Sequence, residues 1–314
     1  MQIKDPYQLF ESAKHGNRAS LARIISLIER GTPAGQELSK ISFRSSRECY
    51  TVGLTGAPGA GKSTLTSAIV ELLRKRNEEV AVLAIDPSSP FSGGAILGDR
   101  IRMQEHALDA GVYIRSMATR GHLGGLSVAV PEAARILGAV GFENILIETV
   151  GVGQVEVEIA QEADTTVVVV TPGWGDAVQA NKAGLMEIAD VFVINKADRP
   201  GVLQTRRDLE MMLDLSSIGE FRPPIVETIA QDKKGIEKTL DAISAHRKFA
   251  LSSGLATQRR STRLEKELSR ILEAIVAKRI QTTLAKDVFA SAKKEMIQGL
   301  IDPRSLAMRL LDEF

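Results

Sequence analysis

The chain has 314 residues, room for one large α/β domain with appendages at about 100–200 residues per domain, and its 40 basic residues against 39 acidic ones leave a formal charge of +1. That balance excludes the electrostatic footprint of a protein that wraps nucleic acid or coats a membrane. The single cysteine, Cys49, forms no internal disulfide, and four scattered histidines, His15, His106, His122 and His246, make no zinc cluster.

Residues 1–45 read as a helical extension. The opening MQIKDPYQLF has neither an apolar signal core nor the Arg and Ser richness of an organellar leader, so a reducing, cytoplasmic setting is expected. NRASLARIISLIERG places Leu21, Ile24, Ile25 and Ile28 on one face and stops at Gly31, which suits an appendage rather than a site. Residues 46–250 alternate short β-branched runs with amphipathic segments: YTVGLTG, VAVLAID, VYIRSM, NILIETVG, TTVVVVTP, VFVINKAD and PIVETIA. Near-continuous apolar strands separated by helices predict a mostly parallel sheet flanked by helices, with sites at the carboxyl ends of its strands. Residues 251–314 are helical and charged. Leu264, Leu268, Ile271, Leu272, Ile275 and Val276 form a stripe, and DPRSLAMRLL starts a helix with Asp302 as cap and Pro303 in the first turn.

GAPGAGKST, Gly56 to Thr64, joins the strand YTVGLT to the helix KSTLTSAIVELLRK and satisfies G-x-x-x-x-G-K-[ST] in its required context. Here Gly56, Ala57, Pro58, Gly59, Ala60 and Gly61 turn backbone N–H groups toward phosphates. Lys62 reaches the β- and γ-phosphates, and Ser63, followed by Thr64, offers a hydroxyl to Mg²⁺. Partitioning-type ATPases carry a lysine after the first glycine, where this chain has Ala57.

Next in order, LAIDPSSPFSGGAILGDRIRM ends a strand with Asp86 and follows it with a Ser/Gly-rich loop and Asp99. These carboxylates read either as Mg²⁺ ligands, directly or through waters, or as a helix cap and a solvated charge. In ILIETVGVGQ, Glu148 leaves a strand three residues before Gly151, the arrangement of a γ-phosphate sensor. The position after the glycine is the apolar Val152, where many GTPases place a water-orienting glutamine, so another loop or a partner must complete hydrolysis. TPGWGDAVQANKAGLMEIAD supplies such a loop: Asp176, Gln179 and Lys182 are polar, and either Lys182 neutralises transition-state charge or the segment is a helix start with exposed charge. Asn195, Lys196 and Asp198 of VINKAD match the guanine-reading N-K-x-D pattern. Guanine donates two N–H groups to one carboxylate, whereas adenine presents an acceptor there. Thr228, Ile229 and Ala230 end a further strand, and a backbone N–H among them can reach guanine O6.

Taken together, GAPGAGKST, DPSSPFSGGAILGDRIRM, RSMATRGHLGGLS, ETVGVGQVEVEIA and PGWGDAVQANKAGLMEIADVFVINKAD resemble the MeaB/ArgK family of P-loop GTPases across most of the chain. The resemblance implies a homodimeric GTPase that chaperones an adenosylcobalamin-dependent acyl-CoA mutase, most typically methylmalonyl-CoA mutase, guarding cofactor loading. It also implies that Ser63, Asp86, Asp99 and Glu148 manage Mg²⁺, with Lys62, Asp99, Glu148 and Lys182 serving hydrolysis. The Asp176–Lys182 loop becomes a partner-responsive switch, and the helices of 251–314 a dimerisation arm. Asn181 departs from the apolar residue expected in many relatives, which bears on partner specificity. Two other classes share the fold plan. A nickel-delivery GTPase needs a Cys/His motif that the isolated Cys49 does not provide, and a small-molecule kinase or transport ATPase conflicts with Asp198.

Overall fold

The computed structural model describes residues 5–45, 49–87, 104–106, 108–119, 129–149, 162–173, 187–215, 220–284 and 293–311. All seven expected strands are present: β1 (Tyr50–Thr55), β2 (Val80–Pro87), β3 (Val112–Thr119), β4 (Asn144–Thr149), β5 (Thr165–Val170), β6 (Val191–Asn195) and β7 (Ile225–Thr228). They form one sheet in the order β3-β2-β4-β1-β5-β6-β7, with every described pairing parallel. Parallel strands need helical crossovers, and these cover both faces.

Alternation along the strands sends neighbouring side chains to opposite faces. On one face Val52, Leu54, Leu146, Val167, Val169, Val191 and Val193 pack with α4 (Lys62–Lys75) and with α8, here Ile236–Ser252. On the other, Ala81, Leu83, Ile85, Ile145 and Ile147 meet α6 (Ala129–Val140) together with the three N-terminal helices α1 (Pro6–Lys14), α2 (Arg18–Glu29) and α3 (Pro33–Ser45). Farther along that face Val168, Val170, Phe192 and Ile194 pack with α7, here Val202–Leu215. A one-turn 3-10 helix, Gln104–His106, is α5 in chain order and precedes β3.

The N-terminal helices are an extension in sequence but part of the core in space. Leu21, Ile24, Ile25 and Ile28 are all buried, as the expected apolar face requires. Asp5 and Asn17 cap α1 and α2 by accepting from the backbone N–H of Tyr7 and Ser20, satisfying donors that a helix start leaves open. Gly31, at φ +59°, ends α2 where the sequence pattern stops it. Gly35 lets α3 approach α2 closely, since a Cβ there would lie 2.4 Å from the Leu27 carbonyl oxygen.

Two compact units divide at Ser261/Thr262. The second contains most of the 30-residue helix α9 (Leu255–Leu284) and α10 (Pro303–Leu311), the latter capped by Asp302 as its sequence predicts. Leu264, Leu268, Leu272, Ile275 and Val276 on α9 are exposed. Among the described residues no helix is long and apolar enough to cross a membrane.

Candidate nucleotide site

Three strand ends meet around the central β1. Register places Leu54 of β1 beside Glu148 of β4, and Asn195 of β6 beside Thr228 of β7. The Gly56–Gly61 loop follows β1 directly and holds three glycines with positive φ, Gly56, Gly59 and Gly61, two of which are closely hemmed in. At Gly56, φ +137°, a Cβ would lie 2.1 Å from the Val169 carbonyl oxygen, so only glycine lets the chain turn across β5. At Gly61, φ +90°, a Cβ would come within 2.3 Å of the Asn195 side-chain amide.

The loop delivers Lys62 and Ser63 to the start of α4. Lys62 is buried, and its ammonium folds back over the loop to donate to the carbonyl oxygens of Gly56 and Ala57. Ser63 Oγ donates to Glu148 Oε1. Glu148 is 1% exposed, and a carboxylate so enclosed is costly unless charge or hydrogen bonds compensate it. Thr64 is exposed, as are Pro58 and Gly59, while Ala57 is half-buried and Ala60 buried. Close by, the hydroxyls of Thr55 and Thr149, the last residues of β1 and β4, are buried without a hydrogen-bond partner among the described residues.

Asn195 is a brace. Its Nδ2 donates to Ala60 O at 2.9 Å, while its Oδ1 accepts from Thr228 Oγ1 and from the Ala230 N–H, both at 3.1 Å. One buried amide thereby joins the phosphate-loop motif to the 228–230 segment. Lys196, held at φ +60°, adds a second tie by donating from Nζ to Gly59 O at 2.6 Å. Asp198 is exposed. The Ile229 N–H donates to Lys234 O at 3.1 Å, so in this structure the backbone donors of both Ile229 and Ala230 are engaged by the protein.

Asp86 is the penultimate residue of β2, opposite Ala118 of β3, and its side chain lies outside the described residues. Asp99, Gly151, Val152, Trp174 and the Asp176–Lys182 loop, Lys182 included, lie outside the described residues. The structure therefore brings together Lys62, Ser63, Glu148, Asn195, Lys196 and the 228–230 segment. For a divalent cation, the Ser63 hydroxyl and Glu148 carboxylate are hard oxygen donors of the kind Mg²⁺ takes alongside phosphate oxygens.

Two features escaped sequence reading. The bracing role of Asn195 follows from its register with Thr228, which a four-residue motif does not announce. His106, one of four scattered histidines, is buried and lies 2.9 Å from Ser67 Oγ on α4, one turn beyond Ser63; no spacing signal links it to the loop.

A family model described as methylmalonyl Co-A mutase-associated GTPase MeaB matches residues 21–285. The chain is 47% identical over 311 residues to a Pyrococcus abyssi protein that carries a GTPase name, covering 98% of this chain and 96% of that one. It is 37% identical over 254 residues to the GTPase ArgK of Escherichia coli, covering 78% and 77%. Over 329 residues it is 31% identical to the mitochondrial methylmalonic aciduria type A homolog of Mus musculus, covering 98% and 79%. A crystal structure of a LAO/AO transport system kinase superposes with a TM-score of 0.73 at 26% identity, covering 99% of this chain and 98% of that one.

Proposed function

The chain belongs to the MeaB family of methylmalonyl-CoA mutase-associated GTPases and hydrolyses GTP, and on that premise we propose that it is a Mg²⁺-dependent gate and chaperone for an adenosylcobalamin-dependent acyl-CoA mutase. Methylmalonyl-CoA mutase is the proposed client, supported by the family description. In this reading GTP state is coupled to cofactor loading and protection.

The observation that carries the mechanism is the contact between Ser63 and the buried Glu148 at the foot of the glycine loop. Residues Gly56–Thr64 hold the phosphates through backbone N–H groups, and Lys62 exchanges loop carbonyls for β- and γ-phosphate oxygens. Ser63, Glu148, Asp86 and Asp99 hold Mg²⁺, which when bound neutralises charge on the transferring phosphoryl group. Asn195, Lys196 and Asp198 read the base, with 228–230 closing its edge. Asp99 and Lys182 enter by their motifs. Lys182 and the Asp176–Lys182 loop answer to the partner, which supplies the water-orienting function that Val152 lacks. Residues 251–314 form the dimerisation arm beside a 46–250 GTPase domain and a 1–45 extension. The exposed line Leu264, Leu268, Leu272, Ile275 and Val276 supports that assignment.

Phosphate release from GTP and ATP, measured with and without the methylmalonyl-CoA mutase of the same source, tests the proposal. Slow turnover of GTP alone, rising several-fold with the mutase, is expected. GTP turnover indifferent to the mutase would overturn the client while leaving the GTPase in place.

A further inference from the structure

At the amino edge of the sheet, opposite the glycine loop, five polar side chains form one continuous chain, buried at Thr165, Asp190 and His246 and half-buried at Tyr50 and Arg259. The Tyr50 hydroxyl meets Thr165 Oγ1, which lies 2.6 Å from His246 Nδ1, and His246 Nε2 lies 3.1 Å from Asp190 Oδ1. Arg259 closes the chain by donating from Nη1 and Nη2 to the two Asp190 oxygens, each at 2.8 Å. Asp190 is 6% exposed and His246 1%. Burial works against the Asp190 carboxylate, but Arg259 and then His246 outweigh it and hold its pKa below the ordinary range.

The two ends of this chain connect separate parts of the molecule. Arg259 stands on the second turn of α9, just before the first compact unit ends at Ser261. Asp190 is the residue before β6. Its N–H donates to Thr166 O at 2.9 Å and its Oδ2 accepts from Thr166 N at 2.8 Å, so it fixes where β6 begins against β5. Five residues on, the same strand ends in Asn195, the brace of the glycine loop and the 228–230 segment. A strand is a stiff connector, and a shift at one end is carried to the other.

Beside the clamp lies a cavity of about 340 Å³ whose walls include Asp190, Glu220, Phe221, Phe249 and Arg259. It gives the Arg259 side chain room to leave Asp190, and Glu220 offers a second carboxylate in the same space. Gly254, at φ +81°, sits at the bend where α8 gives way to α9, a joint at which such a change can be absorbed.

We infer that Arg259 and Asp190 are positioning residues that couple the first turns of α9, through β6 and Asn195, to guanine nucleotide binding. The inference rests on the reading of the carboxyl edge as the nucleotide site. Coupling between two sites is reciprocal, so nucleotide must in turn steady α9.

Hydrogen exchange of the full chain with and without GDP and Mg²⁺ tests this. Slower exchange is expected both in residues 56–66 and in residues 255–261. Arg259→Gln should abolish the second protection, keep the first, and weaken GDP affinity about fivefold, the lower range for coupled sites. Should that variant fail to fold, Arg259→Lys keeps the charge without the two-pronged contact and is expected to show a smaller change in the same direction. Unchanged exchange at 255–261 in the wild-type chain, with 56–66 protected, would overturn the coupling alone. Unprotected 56–66 would overturn the nucleotide-site reading and the coupling with it.

Discussion

The two edges of the sheet satisfy their polar groups in different ways. At the amino edge, Tyr50, Thr165, His246, Asp190 and Arg259 answer one another in sequence, and Asp164 takes both the N–H and the hydroxyl of Thr51. Thr166 Oγ1 is the exception there, buried without a hydrogen-bond partner among the described residues. At the carboxyl edge, Lys62 is satisfied by carbonyls of its own loop, and the hydroxyls of Thr55 and Thr149 stay unmatched. A buried polar group without a partner costs about 1–3 kcal/mol. The difference teaches that this sheet concentrates internal ion pairing at its amino edge and leaves exchangeable contacts at the proposed nucleotide site.

Substitution at each edge should break that contrast in its own currency. The largest effect is expected from Asp190→Ala, which strands Arg259 and His246 beside an emptied site. Loss of one partner from a buried pair costs about 3–5 kcal/mol, readable as a lowered urea midpoint. Lys62→Ala should act on turnover instead, cutting GTP hydrolysis roughly 10²- to 10³-fold with little change in that midpoint. Glu148→Gln keeps the shape of the Ser63 contact but removes the charge, and the Mg²⁺ concentration for half-maximal hydrolysis should rise roughly tenfold. A smaller change is expected from pH. Burial, only partly offset by the hydrogen bond with Thr165, pushes the Tyr50 phenol up to about 12 from an ordinary value of 10.0. A raised acid pKa means that the folded state favours the neutral phenol, so this contribution is complete below pH 10 and fades as pH rises toward 12. Tyr50→Phe should flatten that alkaline loss in a denaturation series, and an unaltered pH profile would remove Tyr50 from the account. Leu268→Asp, on the exposed α9 stripe, should leave both edges intact and lower the mass seen by light scattering if that stripe holds a dimer.

The sheet was legible because its strands are apolar on both faces. Runs such as TTVVVV at Thr165–Val170 and VFVIN at Val191–Asn195 are buried throughout, and no helix-length pattern competes with them. The glycine loop was legible for a local reason: its signature lies within nine consecutive residues, although Val169 and Asn195 help to impose it. The amino-edge chain was not, because Tyr50, Thr165, Asp190, His246 and Arg259 are scattered over more than half the sequence and each alone reads as ordinary strand or helix composition. Likewise the apolar face of α2 was visible, but not what it would cover. That depends on β2, β4 and α6, which follow much later in the chain.

That late partnership sets a timetable for synthesis. Helices α1–α3 are made first, yet their core includes Ile145 and Ile147 of β4, more than 100 residues after Ile28. At about 5–20 residues per second, the apolar face of α2 waits on the order of ten seconds outside the ribosome before its last partners emerge. During that interval the stretch from Leu21 to Ile28 is a binding site for any holdase in reach, and slowing translation between α3 and β4 should raise aggregation of the nascent chain.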